Sequence, residues 1–343
     1  MAYINGTATS SVDLLDKLRQ FLIANGWTVN LFEGDDTGRR LHVRKGTNYV
    51  NFKAAVGKPV FPNVSSTTEA ANYGIGINPS TGFDSTRDWH SQPGAAADMM
   101  DRPIGAAIQL AKTGDIEYHL FSLSEPDAVF VVATSGPINT DPTQNTYQMM
   151  VFGNLNKIGS WDGGEFAGAS KPGYFMPDSL ETSQTRIFSQ AVYSTLFVRG
   201  DIDAFAKGWL CNCETQTTVQ HGNTGKRVIG LLKETNGALT PYALPSYDLL
   251  QSKANTVGYT SNVFNALSVN LPFYLLAQRD PNADNIFSPI GTIPHAYYCN
   301  TKYLAPGSAY PMDYVDGNDY KVFPFSKKGS AMGYDGIAIR YLP

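Results

Sequence analysis

The stretch from Trp27 to Lys53 limits the possible folds of this chain more than any other. Trp27 to Phe32 runs into a polar turn, Glu33-Gly34-Asp35-Asp36-Thr37-Gly38, and Arg40 to Arg44 then alternates with Leu41 and Val43 on one face. Lys45-Gly46-Thr47-Asn48 makes the next turn, and Val50 and Phe52 share a face of Tyr49 to Lys53. Period-two alternation interrupted by Gly, Asn and Asp predicts a meander of antiparallel hairpins. Strand patterns recur at Tyr73 to Asn78, Ile116 to Leu123, Ala128 to Ala133, Tyr147 to Phe152, Val192 to Arg199, Arg227 to Leu232, Leu267 to Leu276, Val322 to Phe325 and Ile337 to Tyr341.

The one strong helical pattern comes first. Ser10 and Asp13 stand at capping-box spacing, Leu14, Leu15, Leu18 and Leu22 recur at three and four residues, and Gly26 after Asn25 supplies a stop. Its apolar stripe needs a sheet to lie on. Ala95 to Leu110 could hold a second helix, but Pro103 interrupts it. No βαβ alternation and no fixed-period repeat appears, which argues against doubly wound folds, propellers and solenoids. The expected fold is therefore mainly β, with antiparallel, sandwich-like sheets and one N-terminal amphipathic helix packed on a sheet. Residues 1–170 form a helix-plus-β region and residues 171–343 a second β region, separate from or continuous with the first. Loose boundaries fall at Gly168 to Pro172 and Lys233 to Tyr242.

Composition then restricts function. Charged residues make up 16% of the 343, against the ~25% typical of soluble domains. In their place stand 32 Gly, 20 Pro, 19 Tyr and 18 Phe. A surface so poor in charge and rich in aromatics tends to be covered by neighbours. A net charge of −4 without a basic run argues against dedicated nucleic-acid binding. Met1-Ala2-Tyr3-Ile4-Asn5 lacks the features of a signal peptide, and no apolar run is long enough for a membrane helix. The odd set Cys211, Cys213 and Cys299 is no disulfide framework and suits a reducing cytoplasm, where the Asn5 and Asn63 sequons carry no meaning.

Candidate chemistry stays incomplete at each motif. Asp36-Thr37-Gly38 matches an aspartic-protease triplet but has no second copy and reads as a turn. Cys211, Cys213 and His221 offer three zinc ligands, with Cys299 and His295 distant in sequence. Asp280, Asn282 and Asp284 begin a calcium loop that lacks its Gly and terminal Glu, and Gly222 to Lys226 lacks the first Gly of a phosphate loop. Arg199-Gly200-Asp201 is an adhesion tripeptide that equally suits the end of a strand. His42, His90, His119, His221 and His295 are dispersed, and nothing selects a glycosidase pair from Glu165, Glu181, Asp201 and Asp203. No catalytic, cofactor or metal residue is assigned.

Gly153 to Phe166 stands out, with glycine turns and two large aromatics straight after an apolar strand. Trp161 and Phe166 are either interface anchors or core pins of their own loop. Trp89 is the third candidate interface residue.

This segment resembles virion structural proteins of tailed bacteriophages. So do Asn5-Gly6-Thr7-Ala8-Thr9 with the helix to Gly26-Trp27-Thr28, Tyr73 to Asn78, Trp89 with Gln92-Pro93-Gly94, and Gly336 to Arg340. The resemblance implies a non-enzymatic component of the tail, baseplate or neck. It would sit in the virion after assembly in the host cytoplasm, and would join other virion proteins as a homo-oligomeric ring without a cofactor. A receptor- or carbohydrate-binding module of the tail tip is the alternative, and a cell-wall or capsule hydrolase the next.

Overall fold

A computed structural model describes residues 1–60, 73–96, 105–110, 114–135, 147–172, 196–203, 207–211, 228–230, 270–278, 287–301, 303–312, 316–324 and 335–342. In chain order these form β1 (Ala2–Ala8), α1 (Ser11–Ala24), β2 (Thr28–Asp35), β3 (Gly38–Lys45), β4 (Asn48–Val56), β5 (Tyr73–Ser80) and β6 (Ala106–Gln109). Next come β7 (Ile116–Leu123), β8 (Ala128–Thr134), β9 (Tyr147–Asn154), β10 (Asn156–Lys157), β11 (Asp162–Ala169), β12 (Lys171–Pro172), β13 (Leu196–Asp201) and β14 (Lys207–Cys211). The chain closes with β15 (Val228–Gly230), β16 (Leu271–Gln278), β17 (Phe287–Asn300), β18 (Ala309–Pro311), β19 (Asp319–Pro324) and β20 (Asp335–Tyr341).

Among the described residues three antiparallel sheets and one helix form, so the chain adopts the mainly β class. The first runs β1-β7-β8-β9-β11-β13-β14, the second β12-β6-β5-β4-β3-β2, and the third β15-β16-β17-β20-β19-β18 with β10 added to β17. The first sheet is the middle layer. One face carries Leu120, Val131, Met150 and Phe152, which pack with α1 and with Leu41, Val50, Phe52 and Ile77 of the second sheet. The other face carries Phe121, Phe130, Val151 and Phe166, which pack with Phe273, Ile293, Phe323 and Ile337 of the third. Coverage on both faces explains why β8, Ala-Val-Phe-Val-Val-Ala-Thr, is apolar almost throughout instead of alternating. β11 pairs with β13 across position 170, so the first sheet draws on both sequence regions.

The helix starts as its sequence specifies. The Ser10 hydroxyl accepts from the Asp13 N–H at 3.1 Å. Asp13 in turn accepts from the Thr9 N–H at 3.0 Å, one residue before the partner a capping box would use. Gly26 leaves the helix at φ +81°, a left-handed conformation that glycine adopts without strain. Ser10→Ala should lower stability by about 1 kcal/mol by freeing the Asp13 N–H. Chemical unfolding would show this as a lower midpoint at unchanged slope, and an unchanged midpoint would deny the cap any role.

Several elements depart from the sequence reading. Ala106–Gln109, inside the candidate second helix, is strand β6, because pairing with Gly74–Ile77 completes the second sheet and overrides Ala propensity. β1 and the long β17 carry no strand pattern that stands out in the sequence. Asp162–Ala169, which reads as the end of a loop, is a strand of the middle sheet. The pattern at Val192 to Arg199 begins outside the described residues and appears as Leu196–Asp201.

Candidate functional site

The Gly153 to Phe166 segment is built as a braced projection. Gly153, next to the last residue of β9, has φ +150°, and a Cβ there would land on the Asp127 carbonyl oxygen. The buried Leu155 anchors the base, its N–H donating to the Gly164 carbonyl at 2.8 Å. Asn156 and Lys157 then pair with Thr292 and Gly291 of β17, and the Ile158 N–H donates to the Ile290 carbonyl at 2.9 Å. The chain turns at Gly159, where φ is +82° and the space around the α-carbon is open. It returns through Gly163 and Gly164, at φ +95° and +104°, where a register shift bends β11.

Lys157 holds the projection closed. Its Nζ donates to the Trp161 carbonyl at 2.7 Å and to the Gly163 carbonyl at 3.3 Å, and lies 5.2 Å from the Trp161 ring centroid. The Trp161 Nε1–H donates to the Ile158 carbonyl at 3.2 Å. Asn156, Lys157, Ile158, Gly159, Ser160 and Asp162 are exposed, and Trp161 is half-buried. Ile158 is thus exposed on backbone fixed by its own hydrogen bonds, beside Trp161, which also packs partly against the core between the first and third sheets. Such preorganisation lowers the entropy a partner must overcome.

The other two candidate anchors need correction. Phe166 is 1% exposed and belongs to the core between the first and third sheets. Trp89 is fully buried with Ala55, Val60 and Ala107 on the outer face of the second sheet. A Cβ on Gly76 would come within 2.6 Å of its ring, so the glycine makes room for the indole. The loop carrying Trp89 is tied down by Gln92, whose amide donates to the carbonyls of Asp84, Arg87 and Asp88 at 3.0–3.1 Å. An interface anchor must be accessible in the free subunit, and neither ring is. Only Trp161 remains.

The motif residues are scattered or occupied. Asp35 accepts from the Thr37 and Gly38 N–H groups and Asp36 points into solvent, so the Asp-Thr-Gly triplet is a hairpin turn. Arg199-Gly200-Asp201 lies within β13, with Arg199 3.3 Å from Glu165 and Asp201 4.0 Å from Lys207. Glu165 is buried and accepts from the Thr47 hydroxyl at 2.6 Å, so it braces the β3–β4 turn. Cys299 is a buried thiol. Cys213, His221, Glu181, Gly222 to Lys226, Asp280, Asn282, Asp284 and Lys233 to Tyr242 lie outside the described residues. Among the described residues no group of three His, Cys, Asp or Glu is placed to hold a metal ion, and no helix is long and apolar enough to cross a membrane.

Sequence reasoning overlooked a polar joint between the first and third sheets. His119, 6% exposed on β7, lies 2.8 Å through Nδ1 from the Tyr3 hydroxyl. Burial, and then the charge of Lys321, lowers the His119 pKa to about 4. Burial, with Tyr341 and Glu117 nearby, raises that of Tyr3 to about 12. Both groups are neutral at pH 7. Lys321 caps the joint, its Nζ 4.8 Å from the Tyr3 ring centroid and 4.5 Å from that of Tyr341. The enclosure marks a structural seam. No protein-family model matches the chain, and no curated protein matches it in sequence.

Proposed function

We propose that the chain is a non-enzymatic structural subunit of a tailed-phage virion, in the tail, baseplate or neck. In this reading it assembles in the host cytoplasm and packs with copies of itself in a ring and with other virion proteins. The observation that carries the proposal is the braced projection with Ile158 and Trp161 at its tip. Rigid, apolar and rimmed by Asn156, Ser160 and Asp162, it has the make-up of a contact surface. The low charge density and the resemblance of several segments to virion proteins support the same reading.

Trp161→Ala should weaken association by roughly 2 kcal/mol or more while leaving the subunit folded. Scoring its incorporation into particles beside its melting curve tests this. Normal incorporation would remove the projection from the assembly surface. Retained incorporation with loss of binding to host-surface glycans would instead favour the receptor-binding alternative.

A further inference from the structure

Among the described residues the three strand orders end on six strands, and five of these are protected against pairing with another chain. β12 is two residues long and contains Pro172, β15 has three residues, and β18 has three with Pro311. β14 is five residues opening on Lys207-Gly208. β2 is longer, but it carries a bulge between Val29 and Leu31 and ends in Glu33 and Asp35. Short length, proline, bulges and charge are the devices by which sheet edges avoid adding strands.

β1 has none of them. Ala2-Tyr3-Ile4-Asn5-Gly6-Thr7-Ala8 contains no charge and no proline, and it pairs with β7 in seven consecutive registers without a shift. Its outer edge is unpaired among the described residues, and Ile4, Asn5 and Thr7 are exposed. Apolar surface collects there as well. Of six exposed large hydrophobic residues among those described, Met1 and Ile4 lie on this strand or beside it. Leu342 follows Tyr341, whose ring packs edge-on against Tyr3 at 5.0 Å.

We infer that β1 is a strand-addition surface, and that its occupant is β1 of a second copy of this chain. An antiparallel two-fold places identical residues near one another, so any charge on the strand would meet its like. β1 is free of that penalty. Pairing centred on Asn5 is the register that uses the whole strand. It sets Ala2 against the partner's Ala8, Tyr3 against the partner's Thr7, and Ile4 against the partner's Gly6. Gly6 is the position over which the Tyr118 hydroxyl lies, since a Cβ there would come within 2.9 Å of it. The partner's Ile4 would therefore cover a glycine and pack beside a tyrosine. The two middle sheets would join into one. This surface lies on a different element from the projection and does not depend on the larger assembly the chain enters.

Three proteins test it by light scattering across a concentration series: wild type, Asn5→Asp and Asn5→Lys. Wild type should show twice the subunit mass, each variant the single mass, and an equimolar mixture of the two variants the doubled mass again. Ile4→Lys should likewise be monomeric, with a circular dichroism spectrum like that of wild type. Amide exchange along β1 should slow as wild-type concentration rises. A monomeric wild type at every concentration overturns the inference, as does a dimer that survives all three substitutions. If wild type is monomeric but Ile4→Lys no longer enters particles, the edge takes a different chain and the self-pairing is wrong.

Discussion

Phe166→Ala should destabilise the subunit by about 3–5 kcal/mol, the range for removing a fully buried phenylalanine. The ring is 1% exposed and sits with Val151, Val198 and Leu210 between the first and third sheets. Removing it leaves a void that this double-sided core has little freedom to close. The contrast with Trp161→Ala is the useful measurement, because the two aromatics are five positions apart. If both are interface anchors, particle assembly fails in each while the melting curves stay together. The structure instead expects Phe166→Ala to shift the unfolding midpoint strongly and Trp161→Ala to act mainly on association. Equal and small shifts in melting would show that Phe166 does not pack as described.

Acid should loosen the seam around His119. Its pKa is about 4 in the fold, against ~6.5 for an unperturbed histidine. Between those values the unfolded chain binds the proton and the native protein does not, so stability rises with pH. The contribution is fully present above about pH 6.5 and is lost progressively as pH falls through the window toward 4. The loss amounts to about 3 kcal/mol, at 1.36 kcal/mol per unit. His42, His90 and His295 are also lowered, chiefly by burial, and act in the same direction. Subtraction against His119→Gln isolates the seam. Unfolding measured at several pH values should give a shallower acid loss in the variant. Parallel curves would mean that the histidine is solvated and the Tyr3 contact is not maintained.

The sequence made most of the strands legible because alternation and turn chemistry act locally. Ile116–Leu123 and Ala128–Thr134 are read almost to the residue for that reason. What escaped depends on distant partners. β6 looks helical until Gly74–Ile77 pairs with it. β17 carries Pro289, Gly291 and Pro294, which discourage a strand reading. They are accommodated by register shifts against β16 and by His295 at φ +60°. The glycines of the projection were visible as turn formers, but not that Gly163 and Gly164 form a bulge inside a strand. Trp89, Trp161 and Phe166 could not be sorted from sequence because burial of an aromatic in a glycine-rich loop is decided by the sheet beneath it.

The pairing of β1 sets a schedule for folding. Tyr3 meets His119 across 116 positions of chain. At the ~5–20 residues per second of translation, β1 leaves the ribosome on the order of ten seconds before β7 exists to receive it. During that interval an uncharged, straight strand has both edges bare. The third sheet waits longer still, since β17 cannot pair with β20 until residues 335–341 are made. So non-local a topology closes late and slowly, and β1 spends the wait as the segment of a nascent chain most open to a strand from a neighbouring polypeptide. Synthesis on crowded polysomes would then favour pairing between chains emerging side by side.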